Sequence, residues 1–411
     1  MNKNISILGA GASGLLSSII LAKKGFNVTV FEKNTKAGRK ILATGNGKCN
    51  ISNQNLSLKN FHSSEINFPS FAIENFPYNK FEEFFNNLGL LLVQGSGTKV
   101  YPLSLQASSV SDILYSEALR YGVIFKFEEF IENIKYQNNT YLIQSSTKQY
   151  KSNILIIASG SAAMKKLGSS SSGYDIAKKF KHNIIKPYPS LVQLISDDKS
   201  IFKLSGVKTT SLVKLYVNNK FVEEQSGDIL FTNYGLSGNT ILDLSKQASF
   251  SLQKEKKVLI HIDILPNMDK KYLFKLFNQR KELLKNKEIK FLLESLINKK
   301  LIPFILQKAY IDKNIIYIKQ LSNNDLNNII YHIKNIKVNI YDTKGFDSAE
   351  VVSGGIDVKD ICNKTMRSKI QKNLYFCGEV LDVDGACGGY NLHWAWASAY
   401  IMAQSINYNT K

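Results

Sequence analysis

A glycine-rich turn near the start of the chain has the spacing needed to bind a pyrophosphate. Gly9, Gly11 and Gly14 form the pattern G-x-G-x-x-G, and an acid, Glu32, follows farther along. In this pattern the first glycine allows a tight turn, the second lets the backbone approach the pyrophosphate, and the third lets a helix pack closely on a strand. Glu32 can accept hydrogen bonds from both hydroxyls of an adenosine ribose and would repel a 2′-phosphate. These residues predict a dinucleotide-binding site.

The residues around the glycines predict the elements that such a site requires. Residues 5–8 are an apolar strand, residues 15–22 give one apolar helical face, and residues 28–31 are a second strand that ends at Glu32. The order strand, glycine turn, helix, strand and acid is typical of a Rossmann βαβ unit, whereas an ordinary glycine-rich turn would lack these flanks. The helix N-terminus would offer free N–H groups and a positive dipole end to the phosphates.

A second glycine-rich segment, 38–50, carries three cations among small residues. It is not a P-loop, because Cys49 follows Gly47-Lys48 and Leu42 stands where that motif has glycine. Its glycine content argues against an ordinary helix. A loop that leaves the acid-bearing strand would run beside the bound nucleotide, although a solvated basic loop remains the alternative. The residues expected to contact phosphate, ribose or a flat ring are Arg39, Lys40, Gly45 and Gly47.

Two more strands end in residues suited to a cofactor. Residues 154–157 are a fully apolar strand followed by Ala158, Ser159 and Gly160, and such a strand is buried in a parallel sheet. Residues 374–376 form another strand, and a glycine-rich turn after it opens a helix over 392–405. A second helix N-terminus directed at the cofactor suits a flavin, because reduced flavin carries negative charge that free N–H groups stabilise.

The middle of the chain has a different pattern. Short strands separated by turns predict an inserted antiparallel sheet or barrel over 190–345, with a lysine-rich helical excursion over about 266–310 and strands returning near Ile315 and Val338. No second G-x-G-x-x-G is followed by a helix and a strand. NAD(P)H therefore has no dedicated nucleotide-binding domain that the sequence reveals.

With these motifs in place, the chain resembles the BaiN/RdsA family of NAD(P)/FAD-dependent oxidoreductases, also described as aminoacetone-oxidase-like flavoproteins. The resemblance spans nearly the whole chain and includes Gly235-Leu236-Ser237-Gly238 as a further motif. It implies an α/β fold in which a Rossmann-like, two-part FAD-binding domain (1–189 and 346–411) carries an inserted antiparallel β-barrel and helical subdomain (190–345). Family members include a ribosomal RNA dihydrouridine synthase and a protein linked to bile-acid reduction.

The resemblance and the motifs together define the residues expected to bind FAD. The expected set, which contains no metal ligand, is Gly9, Gly11, Ala12, Ser13, Gly14, Glu32, Lys33, Arg39, Lys40, Thr44, Gly45, Gly47, Asn50, Ile131, Ala158, Ser159, Gly160, Gly378, Glu379, Asp382, Gly388, Gly389, Tyr390 and Asn391.

Two classes of function are compatible with these residues. The first is an RNA-modifying enzyme in which NAD(P)H reduces FAD and a uridine of 23S ribosomal RNA receives the hydride; the second is a small-molecule reductase or oxidase acting on an enone or an amine. The chain carries 53 Lys+Arg against 33 Asp+Glu, a net charge of +20, which favours a polyanion such as RNA. Heavy use of Lys, Asn and Ile also fits an AT-rich genome, so the alternative is a solvated basic surface. Lysines between Lys270 and Lys300 are the expected RNA-contacting residues.

Uridine reduction requires a weak acid near the substrate. Cys49 is the candidate proton donor, because a thiol with a pKa near 8.5 stays mostly protonated at neutral pH. A packing role for Cys49 is the alternative. Cys387 is the rival donor, since residues 385–391 should also border the flavin ring, and Lys48 is a third candidate if burial lowers its pKa.

The cysteine count and hydropathy indicate the compartment. Four cysteines show no C-x-x-C pair and no zinc spacing, so we expect a reduced cytoplasm. Outside the nucleotide motif, the sequence contains no run of 18 apolar residues, so we expect no membrane span. The sequence does not determine the oligomeric state.

Overall fold

The computed structural model describes residues 3–407, and these form two compact units. One unit contains the described residues up to Pro189 and from Ala349 onward, and the other is Ser190–Ser348. The boundary expected at residue 345 thus falls at Ser348.

The chain up to Ser190 contains twelve strands and six α-helices among its described residues. The strands are β1 (Asn4–Leu8), β2 (Asn27–Phe31), β3 (Ser52–Asn53), β4 (Phe61–His62), β5 (Leu92–Gln94), β6 (Lys99–Pro102), β7 (Ile124–Lys126), β8 (Ile131–Gln137), β9 (Thr140–Ser145), β10 (Gln149–Ser152), β11 (Ile154–Ile157) and β12 (Ile184–Ser190). The helices are α1 (Ala12–Lys23), α2 (Arg39–Ala43), α3 (Ser70–Asn75), α4 (Tyr78–Asn87), α5 (Ala107–Arg120) and α6 (Ser172–Lys179).

The remaining elements belong to the second unit and to the C-terminal part of the first. In the second unit the strands are β13 (Leu194–Ile195), β14 (Lys208–Val217), β15 (Lys220–Phe231), β16 (Gly235–Ser237), β17 (Val258–Asp263), β18 (Ile336–Ile340) and β19 (Asp342–Thr343). Its helices are α7 (Lys199–Phe202), α8 (Asn239–Gln253), α9 (Lys270–Leu283), α10 (Lys290–Leu293), α11 (Leu301–Lys308) and α12 (Asn323–Lys334). The C-terminal part adds β20 (Val351–Ile356), β21 (Leu374–Phe376), β22 (Asp384–Gly385) and α13 (Tyr390–Ser405).

A five-stranded parallel sheet organises the first unit. Its spatial order is β7-β2-β1-β11-β21, and Ile5 pairs with Val28 on one side and with Ile154 on the other. All four residues of β11 are buried, as expected for a strand covered on both faces. Because the chain order reverses between β1 and β11, the carboxyl ends of these strands form the crevice where Rossmann folds bind ligands. The Rossmann-like α/β class predicted from the sequence is confirmed.

The remote C-terminal segment completes this unit. Strand β21 joins the sheet by pairing with β11, with Ile156 opposite Tyr375, and helix α13 packs against α1. Trp394 and Trp396 of α13 are fully buried. A nucleotide-binding unit therefore forms from two pieces of chain that the second unit separates.

The second unit contains an antiparallel sheet that closes on itself. Its order is β18-β17-β14-β15-β16-β13-β19, so the two ends of the order are β18 and β19. These two strands are consecutive pieces of one segment, 336–343, which pairs with β17 at Ile340 and with β13 at Thr343. The seven strands therefore close into a barrel.

Helices of the second unit share the apolar core of the barrel. Leu273, Phe277, Leu292 and Ile305 from α9, α10 and α11 belong to the same buried cluster as Ile260 of β17. The strand predicted near Ile315 is wrong: only an isolated bridge, between Glu288 and Tyr317, forms there, and helix α12 follows. None of the described helices is long and apolar enough to cross a membrane. Within residues 3–407, no group of three His, Cys, Asp or Glu residues could hold a metal ion.

Candidate functional site

The glycine turn after β1 has the close packing that its motif predicts. Gly9 has φ +105°, and a Cβ atom at this position would lie 2.5 Å from the carbonyl oxygen of Ala158. A Cβ atom at Gly14 would lie 1.9 Å from the carbonyl oxygen of Gly9. Any side chain at either position would therefore force apart β1, β11 and the start of α1.

Gly11, in contrast, faces open space. A Cβ atom built on Gly11 meets no heavy atom within 4 Å, and the same is true at Gly160 after β11. Gly11 is also the N-cap of α1, whose first N–H groups have no partner within the helix. Open space in front of free N–H groups and a positive dipole end suits a pyrophosphate. The residues at this turn thus fit the dinucleotide expected from the sequence.

Glu32 lies at the end of β2, where a ribose would be recognised. Its Oε2 accepts a hydrogen bond from the backbone N–H of Ala10 at 2.9 Å, and its Oε1 accepts one from the backbone N–H of Asn34 at 2.9 Å. The amide of Asn34 also donates to Oε1 and accepts from Nη1 of Arg39 at 2.7 Å. Because a carboxylate has about four lone-pair positions, Glu32 keeps acceptor capacity for a ribose hydroxyl while its orientation is fixed.

Asn34, which the sequence reasoning missed, therefore links two predicted cofactor residues. Its position two residues after the acid was the available signal, because a short amide side chain there can bond to the neighbouring backbone and carboxylate. The adjoining Lys33 is half-buried, and burial lowers its pKa. Ile131, the first residue of β8, is also half-buried, and the backbone N–H of nearby Glu129 donates to the carbonyl oxygen of Glu32.

An ion pair connects the segment after β2 to the end of β21. Nζ of Lys40 lies 2.6 Å from Oε2 of Glu379, and the hydroxyl of Ser161 donates to the same oxygen at 3.2 Å. The two charged side chains are 24% and 18% exposed, so solvent screens the pair only in part. The structure brings together three segments that follow β2, β11 and β21. Lys40 and Glu379 were both expected at the cofactor, and their mutual contact was not.

The basic glycine-rich segment is partly helical, contrary to the sequence interpretation. Helix α2 spans Arg39–Ala43, and Gly38 precedes it with φ +70°. A short 3-10 turn covers Thr44–Gly47, and the hydroxyl of Thr44 donates to the carbonyl oxygen of Ile41 at 2.7 Å. Glycines were therefore compatible with helix here, because they lie at its start and after its end rather than within it.

Cys49 is packed inside the first unit. It has 0% exposure and belongs to the apolar core cluster. Burial raises the pKa of its thiol to about 12, an effect partly offset by the Thr44 side chain. A side chain with no accessible surface cannot touch a substrate in this conformation, so the geometry favours the packing alternative for Cys49. Cys387 is half-buried in the turn before α13, which leaves it the better placed of the two candidate cysteines.

Asparagine side chains fix the backbone at the start of α13. In the amide orientation that satisfies all its neighbours, Asn50 accepts from the N–H of Gly389 at 3.1 Å and donates to the carbonyl oxygen of Ser52 at 3.1 Å. Asn391 accepts from the N–H of Gly385 at 2.7 Å and donates to the carbonyl oxygen of that same residue at 2.8 Å. Asn50 and Asn391, both expected to contact the cofactor, thus hold the glycine turn in place.

Other predicted residues at this end of the sheet also make contacts within the protein. Asp382 is buried, and its Oδ2 accepts from the backbone N–H of Ser64 at 2.9 Å. The buried Tyr390 packs edge-on against Phe61, with ring centroids 5.9 Å apart. The remaining expected residues near the strand ends lie at the start of α1, after β11, after β21 or before α13; they are Ala12, Ser13, Ala158, Ser159, Gly378 and Gly388.

Two tryptophans position the segments around the site, a role that the sequence reasoning did not assign to them. The indole N–H of Trp394 donates to the carbonyl oxygen of Gly378 at 3.2 Å, and that of Trp396 donates to the carbonyl oxygen of Ile51 at 3.1 Å. Oγ of Ser398 also contributes, because it accepts a hydrogen bond from the N–H of Gly378 at 2.9 Å. One buried helix therefore fixes both the end of β21 and the segment before β3.

The glycine turn, the acid after β2 and two helix N-termini at one end of a parallel sheet define a Rossmann-type flavoprotein oxidoreductase. The chain belongs to the family described as HI0933-like protein Rossmann domain, whose profile matches residues 3–405. The family resemblance predicted from the sequence is thereby confirmed.

Characterised proteins of two kinds are similar over nearly the whole chain. A 3-dehydro-bile acid delta(4,6)-reductase of Clostridium scindens is 33% identical over 407 residues, which covers 98% of this chain and 99% of that protein. A ribosomal RNA dihydrouridine synthase of Haemophilus influenzae is 31% identical over 407 residues, with 98% of each chain covered. Among solved structures, a 3-ketosteroid-delta4-(5alpha)-dehydrogenase from Rhodococcus jostii is 11% identical, with a TM-score of 0.48, 99% of this chain covered and 97% of that chain.

Proposed function

We propose that the protein is an FAD-dependent oxidoreductase that uses NAD(P)H and reduces a uridine of 23S ribosomal RNA to dihydrouridine. The full-length similarity to a ribosomal RNA dihydrouridine synthase is the observation that carries this proposal. The net charge of +20 supports it, because a polyanionic substrate requires cations on the protein. A ribosomal substrate also implies a cytoplasmic protein.

The residues around the glycine turn would hold FAD. The free N–H groups at the start of α1 would bind the pyrophosphate, with Gly11 admitting it to the backbone. Glu32 would accept from the ribose, and the N-terminus of α13 would stabilise negative charge on the ring. When bound, the flavin supplies hydride-transfer chemistry, with NAD(P)H as the transient reductant.

Reduction of a carbon–carbon double bond also requires a proton, which this chain must hold. In uridine the C5–C6 double bond is conjugated with the C4 carbonyl, so hydride arrives at C6 and a general acid protonates C5. We assign that proton to the thiol of Cys387, because it is half-buried whereas Cys49 is enclosed in the core.

Reduction of a small-molecule enone is the second candidate function. The similarity to a bile-acid reductase, at 33% identity, is the observation that favours it. Its substrate also presents a double bond, and the same pairing of hydride donor and general acid would reduce a double bond conjugated with a carbonyl. The two candidates therefore differ in what the protein binds rather than in the chemistry at the site.

The decisive experiment compares ribosomal RNA from cells with and without the gene. Mass spectrometry of nuclease digests should show a dihydrouridine that is absent from the deletion strain and restored by the wild-type gene. The Gly11→Val variant is the matched control, because it should not restore the modification. An unchanged dihydrouridine content would contradict the RNA proposal, and turnover of 3-oxo-Δ4 steroids by the purified holoenzyme would then support the second candidate.

A further inference from the structure

Two segments of the second unit run side by side at its surface. The backbone N–H of Ile318 donates to the carbonyl oxygen of Lys287 at 3.0 Å, that of Ile289 donates to Ile316 at 3.0 Å, and that of Lys319 donates to Lys285 at 3.0 Å. These hydrogen bonds align residues 285–289 antiparallel to residues 316–319. The side chain of Ile318 is 0% exposed and belongs to the apolar core of the unit, which holds the paired segments against that core.

Lysines lie beside two aromatic rings, one within these paired segments and one just after them. Nζ of Lys287 and of Lys290 lie 5.4 and 5.2 Å from the centroid of the half-buried Phe291 ring. Nζ of Lys319 lies 5.8 Å from the ring of Tyr317, which is 43% exposed. The exposed Lys285 completes the lysine–aromatic surface, which we define as Lys285, Lys287, Lys290, Phe291, Tyr317 and Lys319.

Charge is concentrated at this surface. Residues 284–291 and 313–320 contain five lysines and one acid, Glu288, so these sixteen residues carry a fifth of the net charge of the 411-residue chain. Three other cations of the predicted interval 270–300 donate hydrogen bonds to carbonyl oxygens of the protein itself. Arg280 donates to the carbonyl oxygens of residues 291, 292 and 294, and Lys281 and Lys300 also donate to carbonyl oxygens. The four lysines of the lysine–aromatic surface are exposed, and Nζ of Lys290 also lies 2.9 Å from Oε2 of Glu288.

This combination of groups matches a particular kind of ligand. Ammonium groups on a surface bind phosphates, and exposed aromatic rings stack on unpaired bases. An acidic protein segment would pair with the lysines and leave the rings unused. Double-stranded RNA would also leave the rings unused, because the faces of its bases are stacked within the helix. We propose that the lysine–aromatic surface docks single-stranded or looped RNA, with phosphates at Lys285, Lys287 and Lys319 and a base stacked on Tyr317. This surface deepens the proposed function and rests on it, because it supplies binding to the ribosomal RNA substrate by residues of the second unit.

The test measures binding of the FAD-loaded protein to RNA at several salt concentrations. The probes are a fluorescein-labelled, unstructured 30-nucleotide RNA and protein-free bacterial 23S ribosomal RNA. The charge variant is Lys285→Gln/Lys287→Gln/Lys319→Gln. The matched control is Lys220→Gln/Lys256→Gln/Lys257→Gln, which removes three exposed lysines of the same unit, one from the β14–β15 hairpin and two from the connection between α8 and β17. The slope of log Kd against log salt should fall by about 2 in the charge variant and by little in the control.

Tyr317→Ser should weaken RNA binding about tenfold at every salt concentration without changing the slope, because it removes stacking rather than charge. The NAD(P)H-driven reduction of bound FAD should be unchanged in all variants, which shows that each protein is folded and loaded.

Each result has a separate meaning. Absence of RNA binding by the wild-type protein would overturn both the proposed function and this surface. Equal slopes for the charge variant and its control, with RNA still bound, would overturn the surface alone. Unchanged affinity in Tyr317→Ser, or displacement of RNA by polyglutamate as effectively as by unlabelled RNA, would show a surface that recognises only charge and would overturn the assignment to RNA.

Discussion

At the scale of single residues, two cysteines on predicted cofactor segments differ in accessibility. Cys49 is enclosed and its pKa is raised to about 12, whereas Cys387 is half-buried. We expect Cys387→Ala to retain FAD and its reduction by NAD(P)H but to lower substrate turnover about 10²-fold, the usual contribution of a general acid. Rapid-mixing kinetics separate the two half-reactions. Cys49→Ala is the control, and a larger loss in that variant than in Cys387→Ala would reverse the assignment.

Two glycines of the same turn should respond differently to valine. Gly11 has φ −81° and open space around a Cβ atom, so Gly11→Val should fold normally and lose FAD, because its side chain would occupy the position of the pyrophosphate. Gly14→Val should impair folding itself, since a Cβ atom there would lie 1.9 Å from a backbone oxygen. Circular dichroism reports folding and flavin absorbance reports occupancy. Full occupancy in a folded Gly11→Val protein would disprove the role given to the turn.

The sequence predicted the chemical roles of individual residues better than it predicted which residues they contact. Gly9, Gly14 and Glu32 could be interpreted because their roles depend on neighbours nearby in the chain. Cys49 could not, because its enclosure depends on packing that no local pattern reports. The hydrogen bond from Trp396 to Ile51 joins residues 345 positions apart, so no spacing rule reveals it.

At the scale of elements, helix α13 carries a buried histidine whose protonation is linked to stability. Nε2 of His393 lies 2.9 Å from the carbonyl oxygen of Phe76, so Nε2 donates, and Nδ1 accepts from the hydroxyl of Ser52 at 2.9 Å. The neutral imidazole satisfies both contacts. Burial lowers the pKa of His393 to about 4 from the ordinary 6.5.

This lowered pKa predicts a loss of stability in mild acid. Between pH 6.5 and about 4 the unfolded chain binds a proton at His393 that the folded chain does not, so the free energy of unfolding decreases as pH falls through that range. At 1.36 kcal/mol per pKa unit the loss amounts to about 3 kcal/mol. Denaturant titrations at several pH values should show a shallower pH dependence in His393→Gln than in the wild type. His62→Gln, at an exposed position, is the control, and identical pH profiles for His393→Gln and the wild type would contradict the assignment.

Local patterns predicted some elements and missed others for identifiable reasons. The βαβ unit was predicted because its apolar periods and its glycine turn agree with one another. Helix α12 was missed although Ser322 and Asp325 form a capping box at its start, with the hydroxyl of Ser322 accepting from the N–H of Asp325. Apolar Ile residues just before it suggested a strand, but residues 316–319 pair only briefly with residues 285–289. Ile318 is buried there, whereas Ile316 is 55% exposed.

At the scale of the whole molecule, the two units have separate apolar cores. Because the residues expected to bind FAD all belong to the first unit, FAD should stabilise that unit selectively, by about 2.7 kcal/mol at a concentration 100 times Kd. We expect calorimetry to show two thermal transitions, of which FAD raises one. The apo form of Gly11→Val provides the comparison, since added FAD should move neither transition. A single transition that shifts as a whole would contradict the separation.

The two-part construction of the first unit has a consequence for the growing chain. Strand β11 is made early, but its partner β21 and the covering helix α13 are encoded after the whole second unit. At 5–20 residues per second, the roughly 220 residues after Pro189 take about 10–45 s to synthesise. During that interval the edge of β11 and the surface that later receives Trp394 and Trp396 stay uncovered on the ribosome. The nascent chain would then depend on chaperones or on the ribosome surface itself, and it would acquire FAD only after residues 374–405 emerge.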